Sequence, residues 1–486
     1  MEVKKHSLKY NYILSVAINM ASYIFPLITY PYVTRILGAE GIGKVSFAET
    51  AASYFVLFTT LGIPTYGIRA CAAVRDNKRE LAKVTKELLT ISLIMMIISL
   101  TCFVTLIFFL PQFAQRKELL LINCITIILT PFGVNWFFNA IEDFTYITIR
   151  TLMIKVVTLT ATFLFVRDIK DYNLYALVLV LSTGGSYIYN FVYMNRFVDL
   201  RNVKKLELRR HMKPVLILFA TTAAATVYSN VDVTMLGLIS GDVQVGIYNV
   251  AHKLRQVILS LVSTVGTVLI PRMSYYIKNN KTEEFNRLVA KSIQFICLSA
   301  VSLMLFFFTV ARESVLLIAG SGYEDAILVF ICILPTIVFC AFSNMTGLQI
   351  LVPMEKENIL LKSLILGAVM DVLLNALLIV KWKAVGVAIA TAIAELAVLM
   401  YQLWYLHKCK LICVKGVNIY KTIIFNLIAF LVTFILGFFL NHMNVFVTFL
   451  LKAVMFWSIY GVLLIIFRDE FVISIIEPIL NKVRGR

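Results

Sequence analysis

The chain has 486 residues, 60% of them hydrophobic and 15% charged, and a net charge of +18. Soluble domains carry about a quarter of their residues as charges, so this balance excludes a soluble domain of useful size. The excess of positive charge would suit nucleic acid, but its placement, traced below, assigns it to the faces of a membrane and no nucleic acid is expected.

Fourteen apolar runs follow one another from Asn11 almost to the end, each near the roughly 20 residues a helix needs to cross hydrocarbon. The predicted spans are 12–34, 42–67, 87–110, 117–140, 144–166, 173–195, 214–239, 245–270, 290–311, 326–352, 358–380, 384–406, 420–440 and 445–467. Only helices and closed barrels satisfy their backbone in a bilayer, so the fold class is all-α, a polytopic membrane protein. Joints near 68–86, 196–213 and 271–289 are the longest and are too short for a core of their own. Function therefore belongs among the helices. Lys4, Lys5 and Lys9 precede a first span too long for a signal-peptide core, which reads as an uncleaved first helix.

Eight cysteines, with Cys102, Cys297, Cys332 and Cys340 inside spans, form neither a disulfide framework nor a metal-ligand pattern, and Cys409 and Cys413 lack partner histidines. No metal or other cofactor is expected. With the N-terminus inside, cytoplasmic segments hold 31 Lys and Arg against 10 on the opposite side. Both termini are then cytoplasmic, which requires an even number of spans.

The chain repeats itself. "VTRILGAEGIG" from Val33 and "VTMLGLISGDVQVG" from Val233 each link two spans, and "DFTYITIRTL" from Asp143 aligns with "EKENILLKSL" from Glu355. The offsets, about 200 and 212, put six spans between equivalent points, so the halves relate by an axis along the membrane normal. The expected layout is two pseudo-symmetric six-helix lobes, 1–195 and 214–406, joined by a basic cytoplasmic linker, 196–213, with two extra helices and a tail in 407–486. Spans 1 and 7 should face each other across a cavity. The linker reads as a solvated positive loop that also touches anionic membrane lipids.

Charge inside a span costs a few kcal/mol unless a cavity or a partner compensates it. On span 8, His252, Arg255 and Gln256 share a helical face while Lys253 lies around it, so Arg255 is favoured for a cavity. On span 2, Glu49, Thr50 and Ser53 make a polar stripe. Asp232, Asp371 and Glu395 can carry a coupling ion or can be neutralised by basic neighbours. Arg150 and Lys155 lie at the cytoplasmic end of span 5, where snorkelling is an adequate account, and Arg150 also stands as a candidate for the substrate cavity. Pro26, Pro31, Pro64, Pro131 and Pro335 predict kinks. Trp136, Phe137 and Phe138 read as packing or interface belt, and no phosphate loop or D-x-D pair is present.

The stretch "PLITYPYVTRILGAEGIGKVSFAET", Pro26 to Thr50, resembles the bacterial polysaccharide transporter family, the Wzx-type flippases, within the multidrug, oligosaccharidyl-lipid and polysaccharide exporter superfamily. "WFFNAIEDFTYITIR", "NVDVTMLG", "VGIYNVAHKL" and "LIPRMS" continue the likeness in order over the whole chain. The resemblance implies twelve core helices and commonly two more, no catalysis, and passage of undecaprenyl-diphosphate-linked oligosaccharides to the outer leaflet for O-antigen or capsule. It also implies a polysaccharide polymerase as a partner. A lipid II flippase would resemble its relatives in first-span arginines, and a multidrug cation exporter in N-lobe acids; Tyr12–Thr34 carries no charge. A membrane glycosyltransferase or polymerase needs a long outer loop, and no joint here is long enough.

Overall fold

The computed structural model describes residues 8–203, 205–409, 419–440 and 443–467, and no strand occurs among the described residues. Lys204, Cys413 and both charged termini, including Lys4 and Lys5, lie outside them. Eleven helical stretches are long and apolar enough to cross a bilayer, and the chain is a multi-pass membrane protein. Two of the eleven, Phe25–Ala73 and Glu357–Lys408, contain a break, at Gly38 (φ 66°) and at Lys383 (φ 48°). Each covers two predicted spans, and predicted span 245–270 lies on the helix Asp242–Lys278. Large apolar side chains face outward, as Val157 at 65% and Val380 at 73% exposure illustrate. That arrangement suits lipid, not water.

The chain divides into two compact units, Met1–Gly246 and Ile247–Arg486. The first contains the long broken helix Leu8–Thr60, then Ile63–Ala73, Lys78–Phe109, Lys117–Leu129, Asn135–Ala140, Phe144–Phe165, Tyr172–Met194 and Arg209–Ile239. Side-chain caps fix two of the starts. Asn77 accepts from the backbone of Arg79 and Glu80, and Asp143 from that of Tyr146. Pro64 does not kink a helix as expected; it sits in the first turn of Ile63–Ala73, where its missing N–H costs nothing. Pro131 lies in a tight turn that separates Lys117–Leu129 from Asn135–Ala140. Trp136, Phe137 and Phe138 are buried in the unit's core with Leu88 and Val215, so they pack and do not form a belt.

Apolar burial gains little for helices already in lipid, so close approach of backbones matters more. The two repeated motifs meet in this unit. A methyl group on Gly43 would lie 1.8 Å from the Asp242 carbonyl oxygen, and one on Gly246 would lie 1.9 Å from that of Ala39. Only glycine fits at either position.

The second unit continues the helix Asp242–Lys278 and adds Thr282–Ile296, Ser302–Thr309, Ala311–Ala319, Asp325–Ile333, Thr336–Asn344, Glu357–Lys408, Ile419–Gly437 and Val445–Ile466. Pro335 separates Asp325–Ile333 from Thr336–Asn344. Two π-helical turns interrupt regular winding, Cys297–Val301 and Met345–Leu351. The last two helices pack on Ser302–Thr309 through Phe306, Phe425, Phe456 and Tyr460.

Candidate functional site

Arg255 stands in the middle of the helix Asp242–Lys278 and is 7% exposed. Its Nε donates to Thr336 Oγ1 at 2.6 Å and its Nη2 to Cys340 Sγ at 2.9 Å. Glu395 Oε1 lies 3.6 Å from Nη2, an ion pair but beyond a hydrogen bond. Three helices thus converge on one guanidinium, because Thr336 and Cys340 start the helix after Pro335 and Glu395 rides on the second limb of Glu357–Lys408. The counter-ion of Arg255 is a residue that the sequence places among the separate ion-coupling candidates. His252 and Gln256, one turn apart, bond each other at 2.8 Å, and Gln256 and Lys253 are exposed. The shared face of the sequence reading therefore splits, with Arg255 turned inward and His252 with Gln256 beside it.

In the first unit the polar stripe of span 2 meets the helix Arg209–Ile239. Asn230 donates to Ser53 Oγ at 3.0 Å, Ser53 donates to the Thr50 carbonyl, and Tyr54 bonds Thr234 at 2.9 Å. Glu49 is exposed and Asp232 is buried on the same pair of helices. In the second unit Asp371 and Asn375 are buried one turn apart on the first limb of Glu357–Lys408.

Arg150 departs from the snorkelling expected of it. It is 7% exposed, and its Nη1 donates to Asn135 Oδ1 at 2.8 Å and to Asn190 Oδ1. Asn190 in turn accepts from the Tyr146 hydroxyl and donates to Asn135. Its Nη2 also donates to the Thr151 hydroxyl at 3.3 Å and the guanidinium lies over the Tyr146 ring, so neutral groups hold the cation, with no carboxylate in ion-pair range among the described residues.

Ion pairs at Asp242, Glu313, Glu87 and Glu207 escaped the sequence reading, which counted Arg116, Lys452, Arg210 and Lys83 only as charges flanking the spans. Arg116 donates to Asp242 at 2.7 Å and to the Gly237 carbonyl at 3.0 Å, with its guanidinium over the Phe47 ring. Lys452, inside the helix Val445–Ile466, bonds Glu313 at 2.7 Å. Glu87, fully buried, accepts from the Glu207 backbone, from Arg210 and from His211, whose other nitrogen bonds the Tyr66 hydroxyl. Lys83 adds a bond to Glu207 that holds its carboxyl below the usual range. The linker is therefore clasped to the helix Lys78–Phe109 and is not simply a solvated loop. An acid at the first residue of span 3, with Arg210-His211 just before span 7, was the available signal.

A family model described as "Polysaccharide biosynthesis protein" matches residues 8–277, more than half of the chain, and the chain belongs to that family. Over 417 residues it is 23% identical to "Putative O-antigen transporter" of Escherichia coli (strain K12), covering 85% of this chain and 100% of that one. Among solved structures it is similar to the lipid II flippase MurJ in an inward closed conformation, with TM-score 0.75, 15% identity and coverage of 94% of this chain and 99% of that one. It is also similar to an inward-facing multidrug resistance MATE family transporter of the MOP superfamily, with TM-score 0.63, 14% identity and coverage of 82% and 98%. At these identities the likeness establishes the fold alone.

Proposed function

We propose that this chain is a flippase, not an enzyme, which carries undecaprenyl-diphosphate-linked oligosaccharide repeat units from the inner to the outer leaflet of the bacterial cytoplasmic membrane by alternating access between two lobes. Both termini lie in the cytoplasm. The product feeds O-antigen or capsule synthesis, and a polysaccharide polymerase receives it. The observation that carries this reading is the match to a relative described as an O-antigen transporter over that protein's whole length. The uncharged stretch Tyr12–Thr34 favours it over a lipid II flippase, whose fold is shared.

The geometry supplies a means. A diphosphate needs fixed donors where water is excluded, and a guanidinium offers a forked pair. Arg255 rests against two neutral partners and a carboxylate 3.6 Å away, and an arriving diphosphate exchanges for Glu395. His252, Gln256 and Lys253 flank it, while Glu49, Thr50, Ser53 and Asp232 bond sugar hydroxyls. Asp371 and Glu395 then serve coupling. The interlock of Gly43, Asp242, Gly246 and Arg116 supports closure at the outer end.

The test is surface polysaccharide in a flippase-deleted strain, normalised to detergent-stable protein. Arg255→Ala is expected to abolish export per folded molecule, with partial rescue by Arg255→Lys, which keeps charge without the fork. Normal export by the alanine variant would remove Arg255 from the substrate path.

A further inference from the structure

The second unit contains a cavity of about 290 Å³ that no part of the proposed transport path uses. Its walls come from the helix Asp242–Lys278, the helix Thr282–Ile296, and the helix Thr336–Asn344 with the π-turn that follows it. Leu269, Leu288, Phe295 and Leu348 make it chiefly apolar. A purely apolar void would need no occupant, since such voids stay empty in folded proteins.

Two polar residues argue otherwise. Gln349 lines the cavity, is 6% exposed, and its Oε1 has no hydrogen-bond partner among the described residues, an unfavourable state for a buried acceptor. It sits within the π-turn Met345–Leu351, and the other π-turn, Cys297–Val301, begins directly after Phe295 and Ile296 of the opposite wall. Such turns insert a residue, rotate the face that follows, and recur at functional sites. Lys291 stands at the exposed rim, no acid lines the cavity, and no carboxylate pairs with it among the described residues.

We propose that this cavity binds one acyl chain of an anionic phospholipid, with the phosphodiester at Lys291 and a polar group of the lipid's glycerol backbone at Gln349. The apolar walls accept the chain, and one cation matches one phosphodiester charge. A diphosphate carrier fits worse, because Lys291 is the one cation among the described lining residues and the second charge would have no counter-ion, only neutral groups such as Ser263, Ser292 and Asn344. The assignment does not depend on the transport reading.

The test uses purified full-length protein in detergent, titrated with phosphatidylglycerol, phosphatidylcholine or undecaprenyl phosphate, with bound lipid counted by native mass spectrometry. Phosphatidylglycerol is expected to bind best. Lys291→Gln should weaken it about fivefold, the factor that corresponds to about 1 kcal/mol for one basic residue at an anionic lipid, while Lys291→Arg retains it. Ala341→Leu, which fills the wall, should reduce phosphatidylglycerol and phosphatidylcholine alike. Equal binding of the two phospholipids, or no loss in Lys291→Gln, overturns the proposal. So does preferential retention of undecaprenyl phosphate, which would hand the cavity to the transported carrier. Should Ala341→Leu fail to fold, the Lys291 pair still decides.

Discussion

Three arginines are buried to the same extent, 7% exposed: Arg116 and Arg150 in the first unit and Arg255 in the second. Arg116 has a close carboxylate, Asp242, while Arg150 and Arg255 solve the problem in two other ways. Arg150 is surrounded by the amides of Asn135 and Asn190 and keeps its full charge. Arg255 has a carboxylate, Glu395, at 3.6 Å, with a hydroxyl and a thiol nearer. Arginine does not lose its proton in a protein, so the difference is one of local net charge. The amides accept from Nη1 of Arg150 without offering an ion to exchange, and they hold the helices in one geometry. A loosely placed carboxylate can be displaced by another anion. The comparison assigns Arg150 to structure and Arg255 to exchange.

The strongest way to break the comparison is to remove the carboxylate. Glu395→Ala leaves Arg255 as a buried cation with only neutral partners, and breaking a buried pair from one side costs about 3–5 kcal/mol. The expected outcome is a large fall in detergent-stable protein and in its melting temperature. A melting temperature equal to wild type would mean that Thr336 and Cys340 alone suffice, and the contrast with Arg150 would vanish.

Removing the other cation should cost less. Arg150→Leu leaves Asn135 and Asn190 to bond each other and Tyr146, as they already do, so the loss is expected at about 1–3 kcal/mol for the acceptors that go short. Export per folded molecule should stay normal, in contrast to Arg255→Ala. Loss of export at unchanged stability would move Arg150 from structure to the substrate path.

What the sequence made legible follows physical range. Span positions came from apolar run length, which is local, and the helices follow them except where a single backbone angle, at Gly38 or Lys383, turns one long helix into two limbs. The Val33–Gly43 and Val233–Gly246 repeat was visible, and the structure adds that the two copies meet so closely that only glycine fits. The depth of Arg255 was legible because charge inside a span is rare; its partner was not, since Glu395 comes from a distant helix and no local rule selects it over Asp232 or Asp371. Arg116, Lys452 and Arg210, counted among the basic residues flanking the spans, were misread for the same reason. Each looked like a loop charge until a far acid, Asp242, Glu313 or Glu87, was brought to it.

The smallest expected effect is the most discriminating, because it converts each environment into the other. Glu395→Gln gives Arg255 an amide in place of its carboxylate, as Arg150 has. It should cost about 1 kcal/mol, well short of Glu395→Ala, since a dipole still faces the guanidinium. It should also cut export sharply, because an amide cannot take over the charge balance when a diphosphate leaves. Asn190→Asp performs the reverse exchange and gives Arg150 an ion. The gain from a charge-assisted bond to Arg150 is offset by the desolvation of a second buried charge and by the loss of the Asn190 donation to Asn135, so the unfolding free energy should stay within about 1 kcal/mol of wild type. Export should also be unchanged, because Arg150 holds helix ends whether its partner is an amide or an ion. If Asn190→Asp lowered export as much as Glu395→Gln while both proteins remained folded, the two arginines would be doing the same work, and the division between a fixed and an exchangeable cation would fail.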